Sequence, residues 1–105
     1  MVTPADILTV ATLIAALPGE AAARKSVSAA YYAAYSHAAS LGRVRSRPQH
    51  HRHVARALRL TDPAAAASLQ ALRELRIRAD YQLLEDFSEN ALSACALAES
   101  ILALV

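Results

Sequence analysis

Apolar residues along this chain recur at intervals of three and four, the spacing of one face of an α-helix, and no stretch alternates like a half-buried strand. Thr3-Pro4-Ala5-Asp6 supplies a capping hydroxyl, a proline for the first helical position and an acid at N3. With Ile7, Val10, Ala11 and Ile14 as its inner face, a first helix is predicted to run to about Leu17. Pro18-Gly19 breaks it, and Glu20 opens a second helix predicted to reach about Leu41, with Gly42 as its C′ residue. Val27, Tyr31, Ala34, Tyr35 and Ala38 form the buried stripe of that helix. Ser46-Arg47-Pro48-Gln49 reads as a capping box for a third helix over about Arg47 to Leu60, with Val54, Leu58 and Ala57 inward. Asp62-Pro63 repeats the cap-and-proline signal, and Leu69, Leu72, Leu75 and Ala79 carry a fourth helix to about Tyr81. Ser88 then caps a last helix to about Leu104, with Phe87 and Leu92 placed as a hydrophobic staple. The expected fold is all-α: an antiparallel up-and-down bundle of four to five helices, forming a single domain over residues 1–105.

Composition strengthens this expectation. The chain is 55% hydrophobic but only 5% aromatic, so its apolar content is largely alanine and leucine, the strongest helix formers. A chain of 105 residues buries only about 60 to 65% of its unfolded surface, so a second stabilising device is expected. Cys95 is the lone cysteine and cannot form an intramolecular disulfide, and no Cys/His set has zinc-ligand spacing. Self-association, most simply as a homodimer, is the remaining candidate. A lone thiol also fits a reducing, cytoplasmic compartment. Ile7 to Leu17 is too short for a bilayer, which takes about 20 residues, and Asp6 replaces the positive flank of a signal sequence, so no membrane segment is expected.

Charge alters the picture more than its net value of +2 suggests. No acid lies between Glu20 and Asp62, whereas Arg24, Lys25, Arg43, Arg45, Arg47, Arg52, Arg56 and Arg59 do. After Arg78 the sign reverses, with Asp80, Glu85, Asp86, Glu89 and Glu99. This polarity suits an anionic ligand, an acidic partner or head-to-tail contact between copies. From Arg43 to Arg59 there are six arginines and three histidines, a pattern that can hold phosphates or simply form a solvated loop and helix face. If His50, His51 and His53 face an anion, its binding should strengthen as pH falls toward 6. As metal ligands the three diverge around a helix, so no metal and no cofactor is expected.

Other polar groups have two readings each. Tyr31, Tyr32 and Tyr35 suit a core stripe with hydroxyls at its edge, or base stacking in a nucleotide pocket. Ser28 and His37 suit packing and hydrogen bonding. Arg78 either clasps Asp80, Glu85 or a carbonyl, or joins Arg24 in an anion site.

Two blocks, Arg24 to Ala38 (RKSVSAAYYAAYSHA) and Leu72 to Tyr81 (LRELRIRADY), resemble the small stand-alone bacterial branch of the HEPN superfamily. Ser28, Tyr31, Tyr32, His37 and the run Arg78 to Tyr81, with Asp80 and Tyr81, carry the likeness, which extends over about residues 20 to 104. It implies a dimerising helical bundle from a toxin-antitoxin or defence system, often beside a minimal nucleotidyltransferase. Many such proteins are metal-independent endoribonucleases that use an arginine and a histidine with four to six residues between them. Here the histidine positions after Arg78 hold Leu83, Leu84 and Glu85, while the spacing is met by Arg43 with His50, Arg45 with His50 or His51, and Arg47 with His53. The resemblance thus implies an RNA- or nucleotide-associated component, a binding subunit rather than a nuclease. The alternatives are an active ribonuclease using Arg45, His50, His51 and His53, and a structural interaction module. Arg24, Arg43, Arg45, Arg47, Arg52 and Arg78 are the candidate anion-binding residues.

Overall fold

The computed structural model describes residues 2–42, 51–81, 87 and 89–104. Among these residues there are five helices and no strand: α1 (Pro4–Ala15), α2 (Glu20–Gly42), α3 (His51–Thr61), α4 (Pro63–Tyr81) and α5 (Asn90–Leu102). The capping box predicted for α1 is formed, with Thr3 Oγ1 accepting from the Asp6 amide at 3.1 Å and Asp6 Oδ2 accepting from the Thr3 amide at 2.9 Å. The Thr3 amide holds the Asp6 carboxyl below the usual carboxylate range. Asp62 is the single residue between α3 and α4, and its carboxylate caps α4 by accepting from the Ala65 amide at 3.0 Å.

Several expectations need correction. α1 ends at Ala15 rather than Leu17, because the chain tightens there into i→i+3 bonds from Ala16 and Leu17 before Gly19 turns it at φ +104°. Its inner face is also rotated. Leu8, Ala11 and Ala15 pack on the core, while Val10 is 50% exposed. Gly42 completes α2 rather than following it. On α3, Ala55 is buried and Ala57 only half-buried. α5 runs Asn90–Leu102, shorter than predicted, and its Phe87–Leu92 staple does not form: Phe87 is fully buried, but Leu92 is 65% exposed. The capping box assigned to Ser46 and Gln49, and the Ser88 cap, lie outside the described residues.

Contact pairs define the topology. Ser26 meets Ala11 and Cys95, and His37 meets Leu104, so α2 and α5 run in the same sense. Arg24 meets Ala79, Ser28 meets Asp80 and Arg76 covers Tyr31, so α4 runs against α2. α1, α2, α4 and α5 therefore form an up-and-down bundle, with α2 touching every other helix and α3 packed outside α2 and α4. The many alanines of α2 allow this close approach from all sides: Ala23, Ala30, Ala33, Ala34, Ala38 and Ala39 are all buried. Larger side chains, among them Tyr35, Leu69, Leu72, Phe87 and Ile101, fill the centre. Among the described residues no helix is long and apolar enough to cross a membrane.

A candidate anion-binding groove

α3 is amphipathic in an unusual way. His51, Val54, Ala55 and Leu58 turn inward, leaving Arg52, Arg56 and Arg59 at i, i+4 and i+7 along one outer edge. Since Asp62 alone joins the two helices, α4 folds straight back and brings Gln70 and Arg73 to the facing wall. Between them lies a groove of about 510 Å³ lined by His51, Arg52, His53, Ala55, Arg56, Arg59, Gln70 and Arg73. Among the described residues no carboxylate lines it, and its four arginines make no ion pair or side-chain hydrogen bond. Glu74 accepts from Gln70 Nε2 at 3.4 Å.

Beneath the groove sits His51, only 7% exposed. Its Nδ1 is 2.8 Å from the Tyr31 hydroxyl and its Nε2 3.2 Å from Gln70 Oε1. The Gln70 amide nitrogen donates to Glu74, which orients the amide oxygen toward His51. That oxygen can only accept, so the imidazole carries its proton on Nε2 and accepts the Tyr31 O–H at Nδ1. Both Tyr31 and Tyr35 stack on the imidazole, with ring centroids 5.9 and 6.0 Å away. Burial lowers the His51 pKa against the opposing pull of the Gln70 bond, helped by the nearby Arg73 and Arg76 charges. Burial also raises Tyr31 to about 12, against the opposing Arg76 and Arg73 charges.

This narrows one expectation. His51 is a buried packing and hydrogen-bonding group with both nitrogens engaged, and its burial disfavours the charged imidazolium. His53, two residues later, is exposed on the groove wall beside Arg52. Arg43, Arg45, Arg47 and His50 lie outside the described residues, so every arginine-histidine pair with the expected spacing has at least one member there.

Most of the remaining sequence candidates gather at the C-terminal end of α4, with His37 apart from them. Asp80 accepts from Ser28 at 2.8 Å and pairs with Arg76 at 3.2 Å, not with Arg78, because Arg76 is one helical turn away on the same face. Arg76 lies over Tyr31 and Tyr32, the latter 41% exposed. Arg24 and Arg78 do come together, both over the Phe87 ring, at 4.9 and 5.7 Å from its centroid. Arg24 also pairs with Glu20 at 2.8 Å and donates to the Ala79 carbonyl. His37 Nε2 lies 2.8 Å from the Leu104 carbonyl oxygen, which makes it the donor, and Tyr81 is exposed.

No family model, curated protein or solved structure matches this chain.

Arg73 and Gln70 escaped the sequence reading, and Arg56 and Arg59 were recognised only as members of a basic segment. The i, i+4, i+7 spacing of Arg52, Arg56 and Arg59 was a legible sign of one charged edge. The one-residue Asp62 connection was the sign that α4 must supply the facing wall. Among the described residues no group of three or more His, Cys, Asp and Glu side chains is placed to hold a metal.

Proposed function

We propose that this chain is a HEPN-type bundle that binds RNA or a nucleotide through the α3–α4 groove, as a non-catalytic component of a bacterial toxin-antitoxin or defence pair. One observation carries this reading: four arginines without partners among the described residues line a groove whose described lining residues include no carboxylate. Guanidinium groups so placed can fork onto phosphate oxygens and displace the counterions of a nucleic acid. The two blocks behind the family resemblance also pack against each other, through Arg24 with Ala79, Ser28 with Asp80 and Arg76 over Tyr31. A homodimer, a minimal nucleotidyltransferase partner and a cytoplasmic setting belong to the same reading. Binding is favoured over cleavage because Arg78 lacks a following histidine and His51 has no free nitrogen for proton transfer.

The test is a fluorescence-anisotropy titration with a labelled single-stranded RNA across a salt series. Wild type should bind with a salt dependence that falls by about two when Arg52, Arg56 and Arg59 are replaced by glutamine, since each single-strand phosphate contact contributes about 0.7 to the slope. The RNA should be recovered intact. Cleavage by wild type that His53→Ala abolishes would replace this reading with that of an active ribonuclease.

A further inference from the structure

Which phosphate-bearing ligand suits the groove can be argued from its shape and from the partners of its polar groups. Arg52, Arg56 and Arg59 occupy about 10 Å of α3, and Arg73 faces them from α4. Their cavity, about 510 Å³, has the size of a small-molecule site. Four like charges held around so small a space repel one another, and a compact anion with several charges relieves that repulsion better than a monoanion. An internal stretch of nucleic-acid backbone delivers one charge per nucleotide, with a sugar between successive charges. A di- or triphosphate concentrates its charges on directly linked phosphoryl groups.

Base recognition, by contrast, has little to work with. The Gln70 amide already bonds His51 through its oxygen and Glu74 through its nitrogen, and both His51 nitrogens are engaged, so few groups at the floor are left to read a base edge. We infer that the α3–α4 groove binds a compact polyphosphate, recognising the linked phosphates through Arg52, Arg56, Arg59 and Arg73 and tolerating whatever is attached to them. Such a group can come from a free nucleoside triphosphate, the 5′-triphosphate end of an RNA or inorganic polyphosphate. This inference rests on the proposed phosphate-binding role of the groove and narrows it.

The full-length chain is titrated in magnesium-free buffer with AMP, ADP, ATP, GTP and inorganic tripolyphosphate. One RNA oligonucleotide is added in two forms, with a 5′-hydroxyl and with a 5′-triphosphate. Affinity should rise at least tenfold from AMP to ATP, ATP and GTP should agree within about twofold, and tripolyphosphate should compete with both. Arg52→Gln/Arg56→Gln/Arg59→Gln, checked for folding by circular dichroism, should bring ATP down to the level of AMP. A 5′-triphosphate RNA tighter than ATP identifies the RNA end as the source; equal affinity identifies the free polyphosphate group. Equal binding of AMP and ATP, or of the two RNA forms, overturns the inference. If the RNA still binds in an arginine-dependent way, the broader phosphate-binding role survives that failure. If no probe binds, both fail.

Discussion

Two groups of arginines in this molecule have the same chemistry and opposite situations. At one end of the bundle, Arg24 and Arg78 both lie over the buried Phe87 ring, and Arg24 also has Glu20 and the Ala79 carbonyl as partners. On the outer edge of the molecule, Arg52, Arg56, Arg59 and Arg73 share a groove and have no such partners among the described residues. Arg24 and Arg78 are part of how α2, α4 and the start of the last helix are held together. The groove arginines hold nothing together that the structure describes. Density of positive charge therefore says little about role, and the partner of each guanidinium says much. The sequence had offered Arg24 and Arg78 as a rival anion site; their engagement with Phe87 and the backbone favours the clasp.

The comparison is sharpest under substitution. Replacing Arg52, Arg56 and Arg59 together with glutamine should weaken RNA or polyphosphate binding by a factor on the order of 100, while thermal stability changes by no more than about 0.5 kcal/mol per site. Arg24→Ala should do the reverse. It strips the Ala79 carbonyl of its donor and removes a guanidinium from the Phe87 ring, at a cost of about 2 kcal/mol, or roughly 10 °C in melting temperature, with binding unchanged. Loss of binding without loss of stability in Arg24→Ala would move the site to the Phe87 end.

A smaller effect is expected beneath the groove. Tyr31→Phe keeps the ring stack and removes the O–H donated to His51 Nδ1, leaving that buried nitrogen without a partner at a cost of about 1 kcal/mol in denaturant unfolding. The smallest effect is in pH dependence. The His51 pKa is lowered on folding, so its contribution to stability is complete above its ordinary value of 6.5 and is lost as pH falls from there toward the lowered value. Tyr31 acts at the other extreme. Raised from 10.0 to about 12, it contributes stability below pH 10 that is lost as pH rises through 12. Unfolding curves recorded across both ranges check the two signs, and His51→Gln should flatten the acidic one.

Much of this fold was readable before any tertiary information. Thr3 and Asp6, Pro18-Gly19, and Asp62-Pro63 act through bonds or backbone limits within a few residues, and each marks a helix boundary, although α1 stops at Ala15, two residues before the expected Leu17. The stripe of Val27, Tyr31, Ala34, Tyr35 and Ala38 is buried as its spacing required. Finer packing was not readable in the same way. Val10 and Leu92 are apolar at helical spacing yet face solvent, since which side of a helix is covered depends on the angle at which its neighbours cross it.

The same division runs through the candidate site. Local sequence determined that the chain is helical, where its helices break, and that arginines crowd one side of α3. Only the tertiary structure decided that His51 turns inward to Tyr31 and Gln70 while His53 stays exposed, that Phe87 gathers Arg24 and Arg78, and that Arg73 completes the groove from α4. The physical reason is reach. Capping and helical periodicity act over a turn or two, whereas the partner of a charge is chosen by packing between segments 20 to 60 residues apart, as in Tyr31 with His51 and Arg24 with Ala79.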